Sequence, residues 1–176
     1  ASTQGTEESF TIRLQSNASA NVLTTFESVM AVGAVQASSL RISPRQVGKV
    51  AMLAFNISLS AGLSSGERLI VALPGFSGPG GALVLTGSSA ADFAGVWDDD
   101  AEELTFVCQR NSVGHRMAFI VNASNLLRNP TQALIENSAA VTITSTAAAG
   151  PIDATSFQQV EAIGDIQNAR LSFQTA

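Results

Sequence analysis

Apolar and polar residues alternate along most of this chain. In residues 51–60, Leu53, Phe55, Ile57 and Leu59 share one phase, and Asn56 and Ser58 take the other. In residues 116–122, Met117, Phe119 and Val121 share a phase opposite to Asn122, and Leu104, Phe106 and Cys108 form a third such set. Period-two alternation in runs rich in β-branched and aromatic residues predicts strands with one buried face. Strands are expected at about 10–15, 28–35, 39–42, 47–60, 68–72, 82–86, 92–97, 103–109, 115–122, 140–145, 158–163 and 169–173. Turn chemistry separates them at Ser43-Pro44-Arg45, at residues 62–66, along the Gly-rich run Pro74–Gly81, at Asp98-Asp99-Asp100 and at Gly150-Pro151. No stretch carries sustained helical periodicity. The best candidate, residues 124–136 around Asn125-Leu126-Leu127-Arg128, amounts to one helical turn. Short strands at this spacing predict an all-β, antiparallel β-sandwich rather than a parallel α/β sheet.

The pattern also repeats. Thr24-Thr25-Phe26-Glu27-Ser28-Val29 returns as Thr155-Ser156-Phe157-Gln158-Gln159-Val160, an offset of 131 residues (155 − 24). The offset holds without gaps from Thr11 against Thr142 to Leu40 against Leu171. Thr11, Ile12, Thr24, Phe26, Val29, Ala31, Gly33, Gln36 and Leu40 are identical to their counterparts. Val32/Ile163, Val35/Ile166 and Ile42/Phe173 keep apolar character. A segment that recurs near both ends points to one period plus an overhang, as in a tandem array of domains. The register predicts a complete unit at residues 38–167. Residues 1–37 would be the closing strands of a preceding repeat, or strands exchanged with a neighbour, and residues 168–176 the opening strand of the next. A single domain holding both copies side by side is the other arrangement. Phe26, Val29, Val32 and Val35, with Phe157, Val160, Ile163 and Ile166, are the apolar residues expected at junctions between units.

Composition narrows the partners. A period of about 130 residues is an ordinary domain size. Charged residues make up only 13% of the chain and hydrophobic residues 45%, with net charge −5. The mean hydropathy is +0.25, so the chain is not of the disordered type. Nine Lys and Arg residues, scattered, give no phosphate-binding patch and no anchor for anionic lipid, so no nucleic-acid partner is expected. No apolar run reaches the roughly 18 residues that span a bilayer, so no membrane insertion is expected. The sequence has no signal-like stretch at Ala1.

Three Asn-x-Ser sequons, at Asn17, Asn56 and Asn122, bear on the compartment; Asn129-Pro130-Thr131 is excluded by its proline. Asn56 and Asn122 lie in the polar phase of their strands, where a glycan would meet water. Secretion with N-glycosylation is the expectation. Candidate chemistry is sparse. Trp97-Asp98-Asp99-Asp100-Ala101-Glu102-Glu103 is the dense acidic cluster, and Asp98, Asp99 and Asp100 are a weak Ca²⁺ candidate without EF-hand spacing. A hydrated hairpin turn is the simpler reading. No other cofactor is implied. His115 is the one histidine and Cys108 the one cysteine, too few for zinc. No Gly-x-Ser-x-Gly elbow is present, and the run Pro74–Gly81 lacks a Gly-Lys-Ser/Thr ending. Cys108 is expected as a buried small hydrophobe, Trp97 as a core or edge residue rather than a sugar platform, and Phe76 as folding back onto the core.

The stretch Leu40-Arg41-Ile42-Ser43-Pro44, followed by Val50–Leu59 and then by Leu63-Ser64-Ser65-Gly66-Glu67-Arg68-Leu69-Ile70-Val71-Ala72-Leu73-Pro74-Gly75-Phe76, carries a recurring pattern. It resembles the tandem Ig-like β-sandwich repeats of large secreted surface proteins of algae and other protists, including cell-wall, adhesive and mastigoneme-type proteins. The resemblance spans roughly residues 38–146 and is sharpest at Gly66-Glu67 and Leu73-Pro74-Gly75-Phe76. It implies an Ig-like fold, an extracellular structural role with copies of itself or adjacent repeats as partners, and no catalytic residues. The expected function is therefore a non-enzymatic repeat unit of a filament, wall or surface layer. A carbohydrate- or surface-binding adhesin module, with surface glycans as partners, is the first alternative, and a secreted hydrolase the second.

Overall fold

The computed structural model describes residues 11–12, 24–25, 32–111 and 113–164. The chain divides into two compact units, Ala1–Ala31 and Val32–Ala176. In the first, β1 (Thr11–Ile12) pairs antiparallel with β2 (Thr24–Thr25).

The second unit is built of strands with two short 3₁₀ turns. Its strands are β3 (Val35–Ser43), β4 (Met52–Leu59), β5 (Arg68–Ala72), β6 (Gly81–Leu83), β7 (Leu85–Thr86), β8 (Phe93–Asp98), β9 (Glu103–Cys108), β10 (Arg116–Val121), β11 (Thr142–Ser145), β12 (Ile152–Ser156) and β13 (Gln159–Val160). Five strands form one sheet in the order β13-β3-β4-β10-β7, and six form the other in the order β12-β11-β5-β9-β8-β6. All pairings are antiparallel except β13 with β3. The result is an all-β, two-sheet sandwich.

The alternating phases place the core. Leu53, Phe55, Ile57 and Leu59 of β4, and Met117, Phe119 and Val121 of β10, are buried from one sheet. Leu69 and Val71 of β5, and Leu104, Phe106 and Cys108 of β9, are buried from the other. Aromatic rings join the layers. Phe55 meets Phe106 edge-on at 5.6 Å, Phe106 stacks on Phe119 at 4.2 Å, and Phe119 meets Phe93 edge-on at 4.9 Å. Such pairs each add about 0.5–1.5 kcal/mol beyond the burial of their area.

The two sharpest motif elements are turns. In Leu73-Pro74-Gly75-Phe76 the Phe76 N–H donates to Leu73 O at 3.1 Å, and Gly75 has φ +79°. Proline at the second place and a positive-φ glycine at the third define a type II turn. It returns Phe76 to the core, where it is 1% exposed. In Ser64-Ser65-Gly66-Glu67 the Glu67 carboxylate accepts from the Ser64 and Ala148 N–H groups at 2.6 and 2.7 Å, fastening the turn across the molecule.

Several expected elements differ. The described part of the 28–35 run does not form a strand separate from 39–42. Residues 32–34 carry no strand, and a single strand, β3, begins at Val35. The 47–60 run is shortened to β4, because residues 47–48 form a turn. The 82–86 run is two strands in different sheets. The chain crosses between layers at Val84, whose N–H and C=O are both taken by the Asn125 carboxamide, at 2.8 and 2.9 Å. Residues 124–136 contribute only a 3₁₀ turn at Ala123–Asn125, ended by Leu126 at φ +59°. The 158–163 run keeps two strand residues, and β12 falls outside every expected strand. The 169–173 strand lies outside the described residues, as do most of 10–15 and 28–31.

Candidate functional site

The repeat acquires geometry from strand register. In the first unit Thr11 pairs with Thr25 and Ile12 with Thr24. In the second, Thr142 pairs with Ser156 and Ile143 with Thr155. Adding the 131-residue offset to the first pair of partners gives the second. The repeated segments therefore form the same hairpin in the same register.

The second unit begins earlier than residue 38. The Gly33 N–H donates to Pro151 O at 3.1 Å, the Ala34 N–H to Ser60 Oγ at 2.8 Å, and the Ser60 N–H to Ala34 O at 2.9 Å. The expected division at 37/38 thus falls inside β3. At the far end Ile163 is fully buried, bridged to Leu134.

The expected junction residues are not one surface. Phe157, Val160 and Ile163 are buried in the core of their own unit, with Phe157 edge-on to Phe55 at 6.3 Å, so they offer no area to a neighbour. Val35 is half-buried against the same core. Val32 is 88% exposed. Phe26, Val29 and Ile166 lie outside the described residues.

The acidic turn is engaged in holding itself together. Asp98 Oδ1 accepts from the Asp100 and Ala101 N–H groups at 3.1 and 3.0 Å. Asp99 Oδ1 accepts from the Trp97 indole N–H at 3.0 Å and from the Gly78 N–H at 2.7 Å. One carboxylate thereby ties the hairpin tip to the Gly-rich loop. Among the described residues no three His, Cys, Asp or Glu side chains gather as metal ligands. Trp97 is 1% exposed and forms no sugar platform. Cys108 is buried, with its thiol 3.2 Å from Arg110 O. His115 is exposed at the start of β10.

A groove of about 560 Å³ opens on the outer face of the five-stranded sheet. Asn56 stands in it, exposed, in register with Ser39 of β3 and Ala118 of β10. The next rung is Ala37, Ser58 and Arg116. Gln36, Gln158 and Ser88 line the rim. Ser58 Oγ donates to Gln36 Oε1 at 3.2 Å. The lining holds amides, hydroxyls and one guanidinium, without a carboxylate or aromatic ring. Each of these residues reads in isolation as an ordinary polar strand position, and only the sheet order assembles them. Asn122 differs from Asn56: it is half-buried and its Nδ2 donates to Thr86 Oγ1 at 3.1 Å. Asn17 lies outside the described residues.

Among the described residues no helix is long and apolar enough to cross a membrane. No protein-family model matches the chain, and no curated protein matches it.

Proposed function

We propose that this chain is a non-enzymatic structural repeat from an extracellular tandem array of Ig-like sandwiches, one that builds a filament, wall or surface layer from copies of the same unit. The observation that carries this reading is the shared hairpin register at the 131-residue offset. A sequence segment that recurs together with its pairing is what a tandem array produces. The stretch from Gly33, bonded to Pro151, to Ile163, the last buried residue among those described, spans 131 residues, equal to the period. Successive units would then follow one another with no residues left over for a linker, which suits a load-bearing chain.

The outer faces favour packing over chemistry. Across the six-stranded sheet, Thr144, Ile70, Thr105, Val96 and Ala82 form one rung without a charge. A central rung without charge, flanked by Arg68 on one side and by Glu103 and Asp98 on the other, suits contact with a like surface. An exposed Trp97 beside a groove, or Ca²⁺ bound at Asp98–Asp100, would favour the adhesin alternative. With Trp97 buried and two of those carboxylates bonded within the protein, the array is the better-supported reading.

The test is the full-length protein isolated from its source. Further copies of the unit at 131-residue spacing, and linear or layered assemblies in negative-stain electron microscopy, are expected. Dispersed globular particles from a protein with no further copies would sink the proposal.

A further inference from the structure

The groove on the five-stranded sheet and the Asn56-Ile57-Ser58 sequon coincide. Asn56 lies on β4, the middle strand of that sheet. Its in-register neighbours on the outer face, Ser39 and Ala118, are small. The carboxamide therefore stands between low walls on its own rung, with Gln36, Arg116 and Gln158 further along the groove. Among the described residues it takes no hydrogen-bond partner, whereas Asn122 Nδ2 is engaged by Thr86. At about 560 Å³ the groove falls in the size range of small-ligand sites. Its lining of amides, hydroxyls and one guanidinium both donates and accepts, as sugar hydroxyl and acetamido groups require.

We propose that Asn56 carries an N-linked glycan whose first sugar rings lie in this groove, against Ser39, Gln36, Arg116 and Gln158. The proposal rests on the reading of the chain as secreted. The glycosyl donor is a lipid-linked oligosaccharide pyrophosphate. Asn56 Nδ2 forms a bond to C1 of the first sugar as the bond from C1 to the pyrophosphate oxygen breaks. The lipid pyrophosphate leaves with the electron pair, and the amide nitrogen gives up one proton. β4 is paired along both edges, by β3 and by β10. A transferase cannot take hold of a strand bonded on both sides, so transfer precedes closure of the sheet. The glycan is then laid into the groove as β3 and β10 close around β4. It covers part of the five-stranded face with bound sugar and leaves the outer face of the six-stranded sheet for lateral packing.

The experiment uses the full chain secreted from eukaryotic cells, with glycopeptide mass spectrometry at Asn17, Asn56 and Asn122. It adds the rate of glycan release by a glycoamidase on native and on denatured protein. Occupancy at Asn56 is expected, with native release about tenfold slower than denatured release, the protection that one or two net hydrogen bonds give. The double variant Arg116→Ala/Gln158→Ala changes two side chains on the rim of the groove. It is expected to keep occupancy and folding while native release accelerates towards the denatured rate. An empty Asn56 beside an occupied Asn17 or Asn122 overturns this inference and leaves secretion standing. No glycan at any sequon in the secreted protein overturns the premise of N-glycosylation, and the inference with it. An occupied Asn56 released equally fast before and after unfolding overturns the seat: the glycan would then project into solvent.

Discussion

Replacing Gly33 by alanine tests where the unit begins. A Cβ at Gly33 would lie 2.0 Å from Gly150 O and 2.7 Å from Ile152 Cγ1. The nearer atom is backbone, so no side chain can turn aside to make room. Overpacking of this kind costs about 1–3 kcal/mol. Moving the strand away would break the bond from Gly33 N–H to Pro151 O, worth about 0.5–1.5 kcal/mol net. Ordering alanine rather than glycine returns about 0.4–1 kcal/mol through the unfolded chain. The penalty also has a ceiling. Residues 33–34 can detach, forfeiting three hydrogen bonds of about 1 kcal/mol each. Gly33→Ala should therefore destabilise by about 1–3 kcal/mol. Urea unfolding followed by the fluorescence of Trp97, buried in the core, measures this. Gly114→Ala is the control, since a Cβ there meets nothing within 4 Å, and a change within about 0.5 kcal/mol is expected. Gly164→Ala probes the repeat counterpart for a different reason: φ is +72° and a Cβ would lie 2.7 Å from Val47 Cγ1, so about 1–2 kcal/mol is expected from the left-handed backbone alone. A Gly33→Ala variant no less stable than Gly114→Ala would refute the assignment of Gly33 to the sandwich.

Asp99→Ala should lower stability by about 1–2 kcal/mol, the bonds to Trp97 and Gly78 being discounted for an exposed carboxylate. Asp100→Ala should stay within about 0.5 kcal/mol. Millimolar Ca²⁺ should leave both melting curves and that of the parent unchanged, and a Ca²⁺-dependent rise in melting temperature would restore the metal site. Asn125→Ala removes both side-chain bonds at the crossover and should cost about 1–3 kcal/mol in thermal unfolding; no loss would mean that Val84 is served by water. Cys108 should resist a thiol reagent in the folded protein and react on unfolding, and rapid native labelling would contradict its burial.

The strands were legible where one face is buried, because burial then writes its period into the sequence. Leu53, Phe55, Ile57 and Leu59 are spaced by two, and all four point inward. Sheet membership was not legible in the same way. Residues 82–86 read as one strand because their alternation is continuous. The break at Val84 is made by Asn125, 41 residues further along the chain. The groove was hidden for a related reason. Gln36, Asn56, Arg116 and Gln158 are ordinary polar positions until the order β3-β4-β10 sets three of them side by side.

The repeat shows the limit most clearly. A periodic sequence fixes the length of its unit but has no origin, so any cut 131 residues long describes it equally well. The phase comes from burial. Val32 and Ile163 occupy the same repeat position and are both apolar, yet Val32 is 88% exposed and Ile163 is fully buried. The difference cannot come from the residue. Ile163 is bridged to Leu134 of its own unit, and Val32 has no such bridge among the described residues. The neighbouring pair behaves in the opposite sense. Gly33 is held by Pro151, more than a hundred residues later, and by nothing earlier among the described residues. On the proposed tandem reading, Gly33 bonded to the succeeding chain and Ile163 buried by the preceding one set the start of the unit near the division between Ala31 and Val32.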